Sequence, residues 1–237
     1  MARDEMTPAS VFAGSESIDE RVTAFLRAVY GWMCVGLAVT AVTAWFIASS
    51  PALTSAIATN RMLFWALILG QFGLVWVISA RVEQLAASTA SALFVLYSAL
   101  TGVTLSFVLL AFTGESIATT FVVTAGMFGA LALYGTVTQR SLAGMGQFLF
   151  MGLVGVVLAS LIGMFWHNDG LQFVISVIGV IVFTGLAAYD AQRLKTMALA
   201  IPGGGTGAYA ISGALALYLD FINLFLFLLR FLGNRRD

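Results

Sequence analysis

The sequence predicts an all-α membrane protein with seven transmembrane helices, and three observations lead there. Hydrophobic residues make up 60% of the 237-residue chain and charged residues only 9%, against about 25% charged in an ordinary soluble domain. The apolar residues gather into seven long runs separated by short polar breaks, each close to or above the roughly 20 residues that cross the hydrocarbon core of a bilayer. The few charges fall almost entirely at the ends of those runs. Asp190 and Asp220 are the departures from that pattern.

Residues 1–16 are small, polar and acidic and read as disordered. Ser17-Ile18-Asp19-Glu20 has the S-x-x-E form of a capping box, which predicts a helix start there. Ile18, Val22, Phe25, Leu26 and Val29 follow at helical spacing and form one apolar stripe. This reads as an interfacial helix, with Arg21 and Arg27 at the membrane surface. Residues 1–27 are thus predicted to be a cytoplasmic N-terminal tail with an interfacial helix, and residues 28–237 a single transmembrane domain. The polar start and the length of the first apolar run predict an uncleaved first span, not a cleavable signal peptide.

That first span covers about 28–49 and ends at Ser50-Pro51, because proline disfavours helix in the residue before it. The second covers 62–80, between Arg61 and Arg81. The third covers about 85–112, long enough to tilt, and a turn at Thr113-Gly114-Glu115 follows. The fourth covers about 117–137 and is broken by Thr138-Gln139-Arg140-Ser141. The fifth covers about 142–166, the sixth about 171–189 and the seventh about 208–232. Small residues recur every fourth position: Gly36, Thr40 and Ala44 on the first span, Ser98, Gly102 and Ser106 on the third, Gly126 and Ala130 on the fourth. Such stripes let helix backbones approach closely where lipid supplies no hydrophobic drive between helices.

Composition removes several function classes. Net charge is zero and no basic patch exists, so nucleic acid is not a predicted partner. Cys34 is the single cysteine and His167 the single histidine, which leaves no thiolate cluster and no paired-histidine metal motif. His167 reads as a solvated loop residue. The loop at 200–207, AIPGGGTG, is flexible in composition, but no strand precedes it and no Lys-Ser/Thr follows, so it is not a phosphate cradle. Lys195, the single lysine, lies past the sixth span, where a buried Schiff base to a retinal-type chromophore is implausible. No catalytic residue, cofactor or small-molecule substrate is assigned.

With seven spans, Arg3, Arg21, Arg27, Arg81, Arg140, Arg193 and Lys195 fall on one side and Arg61, Arg230, Arg235 and Arg236 on the other. The positive-inside rule then puts the N-terminus in the cytoplasm. A re-entrant last segment would move its three arginines to the first side. The length of 208–232 favours a full span.

The candidate site is a pair of acids. Asp220 sits in the middle of the last apolar run, where a carboxylate costs roughly 2.5–3.5 kcal/mol on insertion scales. Asp190 closes the preceding run, and if that helix continues to about Met197 the two acids lie at similar height. Two carboxylates in contact cannot both ionise cheaply and titrate as a unit. One shared proton would hold the two helices together, and its loss would drive them apart unless a cation enters. This predicts a pH-sensing pair that serves as a transient cation stop. Arg193, three residues on, either pairs with Asp190 or reaches lipid headgroups. Arg81 is either a gating counter-charge or an interfacial anchor. Asn223 and Arg230 extend a polar stripe from Asp220 that either lines a path or, at Asn223, bonds to a neighbouring helix. Gln71 is read as a helix–helix hydrogen bond, and Glu83 and Glu115 as water-facing span ends.

GLAAYDAQRLK at 185–195 and GALALYLDFINLFLFLLRFLG at 213–233 resemble the C-terminal signature of the Bax inhibitor-1 family, the transmembrane Bax-inhibitor-motif proteins. LYSALTGVTLSFVL at 96–109 and FGALALYG at 128–135 resemble its middle spans, especially in bacterial members. The resemblance covers nearly all of 18–233. It implies a fold in which the last helix is central and wrapped by the other six. It also implies a pH-sensitive calcium leak, with the family's paired aspartates at Asp190 and Asp220 and an arginine partner at Arg81. Bacterial members further resemble a modulator of a membrane-bound AAA protease. This chain has Ser141 and Gln71 at or near positions where some members carry acids.

The leading expectation is therefore a proton-gated passive leak in a bacterial inner membrane, with calcium as the permeant ion. The alternative is a non-transporting regulator of a membrane AAA protease, or stress-survival interaction protein, contacting its partner through the polar tail. A third reading, intramembrane aspartyl proteolysis, fits two acids on adjacent spans. It lacks the Gly-x-Gly-Asp and Pro-Ala-Leu motifs, since the second acid follows Leu-Tyr-Leu and the prolines are Pro8, Pro51 and Pro202.

Overall fold

The computed structural model describes residues 8–166, 168–201 and 206–236. Residues 1–7 of the tail predicted at 1–16, His167 and the glycine run at 203–205 lie outside the described residues, and 8–16, expected to be disordered, are helical. Among the described residues there are eight helices: α1 Pro8–Ala48, α2 Pro51–Thr59, α3 Arg61–Ala80, α4 Ala87–Ala111, α5 Gly114–Val137, α6 Ala143–Phe165, α7 Asp169–Ala200 and α8 Thr206–Leu232. Seven of them, all but α2, are long and apolar enough to cross a membrane. The class predicted from sequence, an all-α seven-span membrane protein, is the class observed.

Two expectations at the N-terminus are corrected. The helix is already under way at Pro8, so the S-x-x-E box lies inside α1 and starts nothing. No proline interrupts residues 9–48, and extending an existing helix needs no new nucleus. Nor does the apolar stripe lie on a membrane surface. Val22, Phe25 and Val29 are buried and belong to the main core, while Ile18 is exposed. Val29 stands against Gly213 of α8, 3.3 Å from where a β-carbon there would sit. Arg21 donates to the carbonyl of Ile201 at 2.8 Å. That residue caps the C-terminal end of α7, where a cation complements the helix dipole.

The short helix α2 was not foreseen. Pro51 stops α1 as expected but then serves as the first residue of α2, a position where its missing N–H costs nothing. Asn60 separates α2 from α3, and its side-chain oxygen accepts from Leu63 N at 3.0 Å.

Helices α1 and α4 form the most extensive helix pair, and the predicted stripes make it. A β-carbon at Gly36 would lie 2.5 Å from the ring of Phe94, and one at Gly102 would lie 2.7 Å from the carbonyl oxygen of Thr40. On α5 the predicted stripe is on the wrong face. Gly126 and Ala130 are exposed, and the buried line is Thr120, Thr124, Phe128, Ala132 and Gly135. Two small residues at i and i+4 do not by themselves say which side of a helix meets protein.

The last helix packs against α1, α4, α5 and α7 and touches α3. It is the most buried of the seven spans. Helix α6 reaches the bundle through α7, where Gly146, Gly152 and Gly185 admit Tyr189, Val182 and Leu149. Helix α8 starts beside Ala87, the first residue of α4. It ends beside the α4–α5 turn, where Thr113 N donates to Asn234 O at 3.1 Å and Arg236 N to Ala111 O at 3.0 Å. It thus runs the whole length of α4, as a full crossing does and a re-entrant hairpin does not.

Candidate functional site

Helix α7 continues past the end of its apolar run to Ala200. That continuation carries Asp190 ten residues in from the helix end, about 15 Å at helical rise. Asp220 lies fourteen residues into α8, about 21 Å along it. Because α7 and α8 are consecutive and pack together, the two acids come to one place. Their carboxyl groups neighbour each other across the α7–α8 seam. Two ionised carboxylates offer only acceptors to each other, so a bond between them needs one proton to lie between them.

The surroundings hold the pair in place. Asp220 is 6% exposed, and its Oδ2 has no hydrogen-bond partner among the described residues. Leu217, Tyr218 and Leu224, in the adjacent turns, are fully enclosed. Asp190 is partly open, and Arg193 Nη1 stands 3.9 Å from its Oδ1 while most of the arginine side chain remains exposed. The pairing reading of Arg193 thus has a long contact behind it. Beside Asp190, Gly135 of α5 is pressed against the backbone carbonyl of Ala188, and Tyr189 lies over Gly146 of α6. At Gly135, where the neighbour is backbone, only glycine permits the approach.

A family model described as "Inhibitor of apoptosis-promoting Bax1" matches residues 22–237. The chain belongs to this family. It is 53% identical over 215 residues to a protein of Escherichia coli named "Inner membrane protein YbhL", covering 90% of this chain and 92% of that one. It is 47% identical to an uncharacterized protein of Borreliella burgdorferi, covering 90% and 93%. A further uncharacterized protein, from Deinococcus radiodurans, is 43% identical, covering 92% and 93%. The resemblance read from GLAAYDAQRLK and LYLDFINLF thus holds across the chain.

In this Bax inhibitor family protein the remaining candidate residues do not join the acids. Arg81 is an exposed C-cap of α3, its backbone N–H bonded to Val77 O, and the ion pair found among the described residues is Arg193 with Asp190. The interfacial-anchor reading fits Arg81, and the counter-charge reading has no contact behind it. Asn223 donates to Leu219 O at 2.8 Å within its own helix, so it does not bond a neighbouring helix. Arg230 is exposed and lies 5.9 Å over the ring of Phe227. Between Asn223 and Arg230 that same Phe227 stacks on Phe183 at 5.7 Å and fills the space over Gly179. An aromatic pair thus lies between the two polar residues of the predicted stripe. Gln71 does make a helix–helix contact, Nε2 to Leu100 O at 3.4 Å.

Two groups near the acids escaped the sequence reading. Tyr218, two residues before Asp220 and so on nearly the opposite face of α8, shares a 2.6 Å hydrogen bond with the hydroxyl of Thr40, which also bonds Ser98 O at 2.9 Å. This ties α8 to α1 and α4. Thr40 and Ser98 stood in the predicted stripes, but only as small residues. The second group is Gln192, which accepts from Leu142 N at 2.7 Å and donates to Arg140 O at 2.9 Å. With Lys195 donating to Thr136 O at 2.7 Å, it fastens the α5–α6 connection across α7, one half-turn past Asp190. No local pattern marks a glutamine that will bond a loop fifty residues away.

Proposed function

We propose that this protein is a pH-sensitive passive cation leak of the bacterial inner membrane, with its N-terminus in the cytoplasm, gated by one proton shared between Asp190 and Asp220. The observation that carries the reading is a buried carboxyl oxygen of Asp220 with no partner, set against a second carboxyl on the next helix. A lone buried carboxylate is expensive. A proton between the two acids removes the charge conflict and ties α7 to α8. As pH rises the proton leaves, and two negative charges then face each other where little water screens them. The seam opens or a cation enters.

Calcium suits this role because it is a hard cation that takes carboxylate and carbonyl oxygens. It normally needs six to eight of them, and no group of three or more metal-ligating side chains occurs among the described residues. The acids are thus a passing stop and not a resident site. The aromatic pair of Phe183 and Phe227 closes the seam beyond the acids, which fits a closed state. The name of the Escherichia coli relative supports the inner membrane.

The test is calcium flux in liposomes across pH. The wild-type flux is expected to rise with pH, and Asp220→Asn, which keeps the shape but cannot lose the proton, is expected to flatten that rise. A variant neutral at both positions that leaks with the wild-type pH profile would remove the gating role.

A further inference from the structure

A crevice of about 130 Å³ lies between α1, α4, α5 and α8, on the side of α8 that carries Phe221 and Phe225. Ala41 of α1, Leu109 of α4, Phe121 of α5 and Phe221, Ile222 and Phe225 of α8 form much of its wall. The one polar residue of the lining is Thr40, whose hydroxyl is already engaged by Tyr218 and Ser98. The crevice therefore offers no free hydrogen-bonding group. An apolar cavity of similar size, about 150 Å³, stays dry and accepts small hydrocarbons.

The mouth of the crevice is at Ala41 and Phe121, both exposed, and it is bordered by Val42, Trp45 and Val122, each more than 60% exposed. These residues lie within spanning helices, so the medium at the mouth is the hydrocarbon of the bilayer. A helix, about 10–12 Å across with its side chains, is too wide to enter a space of this volume. A flexible chain of methylenes is not.

We propose that this crevice is a binding site for one phospholipid acyl chain. The chain end would rest on Phe221 and Ile222, the two residues that follow Asp220. Phe221 is already wedged edge-on between Phe121 and Phe128 of α5, each ring 5.5 Å away. An acyl chain there packs against the same stretch of α8 that holds the acid, and it couples the bilayer's chain composition to the position of that helix.

The experiment uses the full chain in liposomes containing a phospholipid with a photoreactive group partway along one acyl chain. After irradiation, adducts are mapped by mass spectrometry. They are expected to be several-fold denser on Leu109, Phe121 and Phe225 than on Phe148 and Leu158, which are open to lipid on α6. Ala41→Trp, which fills the mouth, is expected to bring the crevice down to the α6 level. Should that variant not fold, Leu109→Trp fills the crevice from the opposite wall, and the wild-type distribution decides alone. Equal labelling of crevice and α6 overturns the proposal. The readout is chemical, so it stands or falls independently of whether the protein conducts ions.

Discussion

Helices α6 and α8 would be hard to rank by their sequences. Both are long and apolar enough to cross a membrane, and α6 is the more apolar of the two. In the fold they are opposites. Phe148, Phe150, Met151, Leu158 and Leu161 of α6 are exposed, whereas Leu215, Leu217, Tyr218, Leu224 and Leu229 of α8 are fully enclosed. Inside a bilayer, lipid tails are as apolar as leucine, so hydrophobicity does not pull one helix inward over another. What separates α8 from α6 is what must be hidden: a buried acid and a tyrosine hydroxyl. The more polar of the two helices lies deeper because its polar groups need protein partners.

The largest effect expected from this contrast is at a crossing where backbones touch. Gly135→Leu on α5 would drive a side chain into the backbone of Ala188, which cannot yield as a flexible side chain can. Loss of the folded, monodisperse protein in detergent is expected, while Gly126→Leu, with open space around it, should purify as wild type. Equal behaviour of the two variants would break the distinction between seam and lipid face.

Next in size is a matched pair of truncations read by thermal unfolding in one detergent. Leu217→Ala in α8 is expected to cost about 2–5 kcal/mol, the usual range for an enclosed leucine. Leu158→Ala in α6, 56% exposed, should stay within about 0.5 kcal/mol. The smallest effect is that of a single hydroxyl. Tyr218→Phe removes the bond to Thr40 and is expected to cost about 1 kcal/mol, whereas Tyr134→Phe, 52% exposed on α5, should be neutral. A Tyr218→Phe variant as stable as wild type would mean that the hydroxyl bond, unlike the ring packing, contributes nothing to holding α8.

Composition alone determined that this is a membrane protein, because 9% charged residues cannot cover a water-facing surface. The spacing of breaks determined the seven spans, since a helix must run about 20 apolar residues to satisfy its backbone across the bilayer. The same logic exposed Asp190 and Asp220, because acids in apolar runs are rare enough to stand out. Tertiary structure decided everything that depends on which face of a helix meets another. Val22, Phe25 and Val29 made a stripe that sequence assigned to lipid and the fold assigned to α8 and the core. Gly126 and Ala130 made a stripe that faces outward. Arg81 and Arg230 stood at plausible distances along the chain, yet the ion pair among the described residues joins Asp190 to Arg193. The hydrogen bonds of Tyr218, Thr40 and Gln192 were not legible in sequence, because each reaches a partner roughly fifty to one hundred and eighty residues away. Period and composition describe one helix at a time, and burial, pairing and closure are properties of helices in contact.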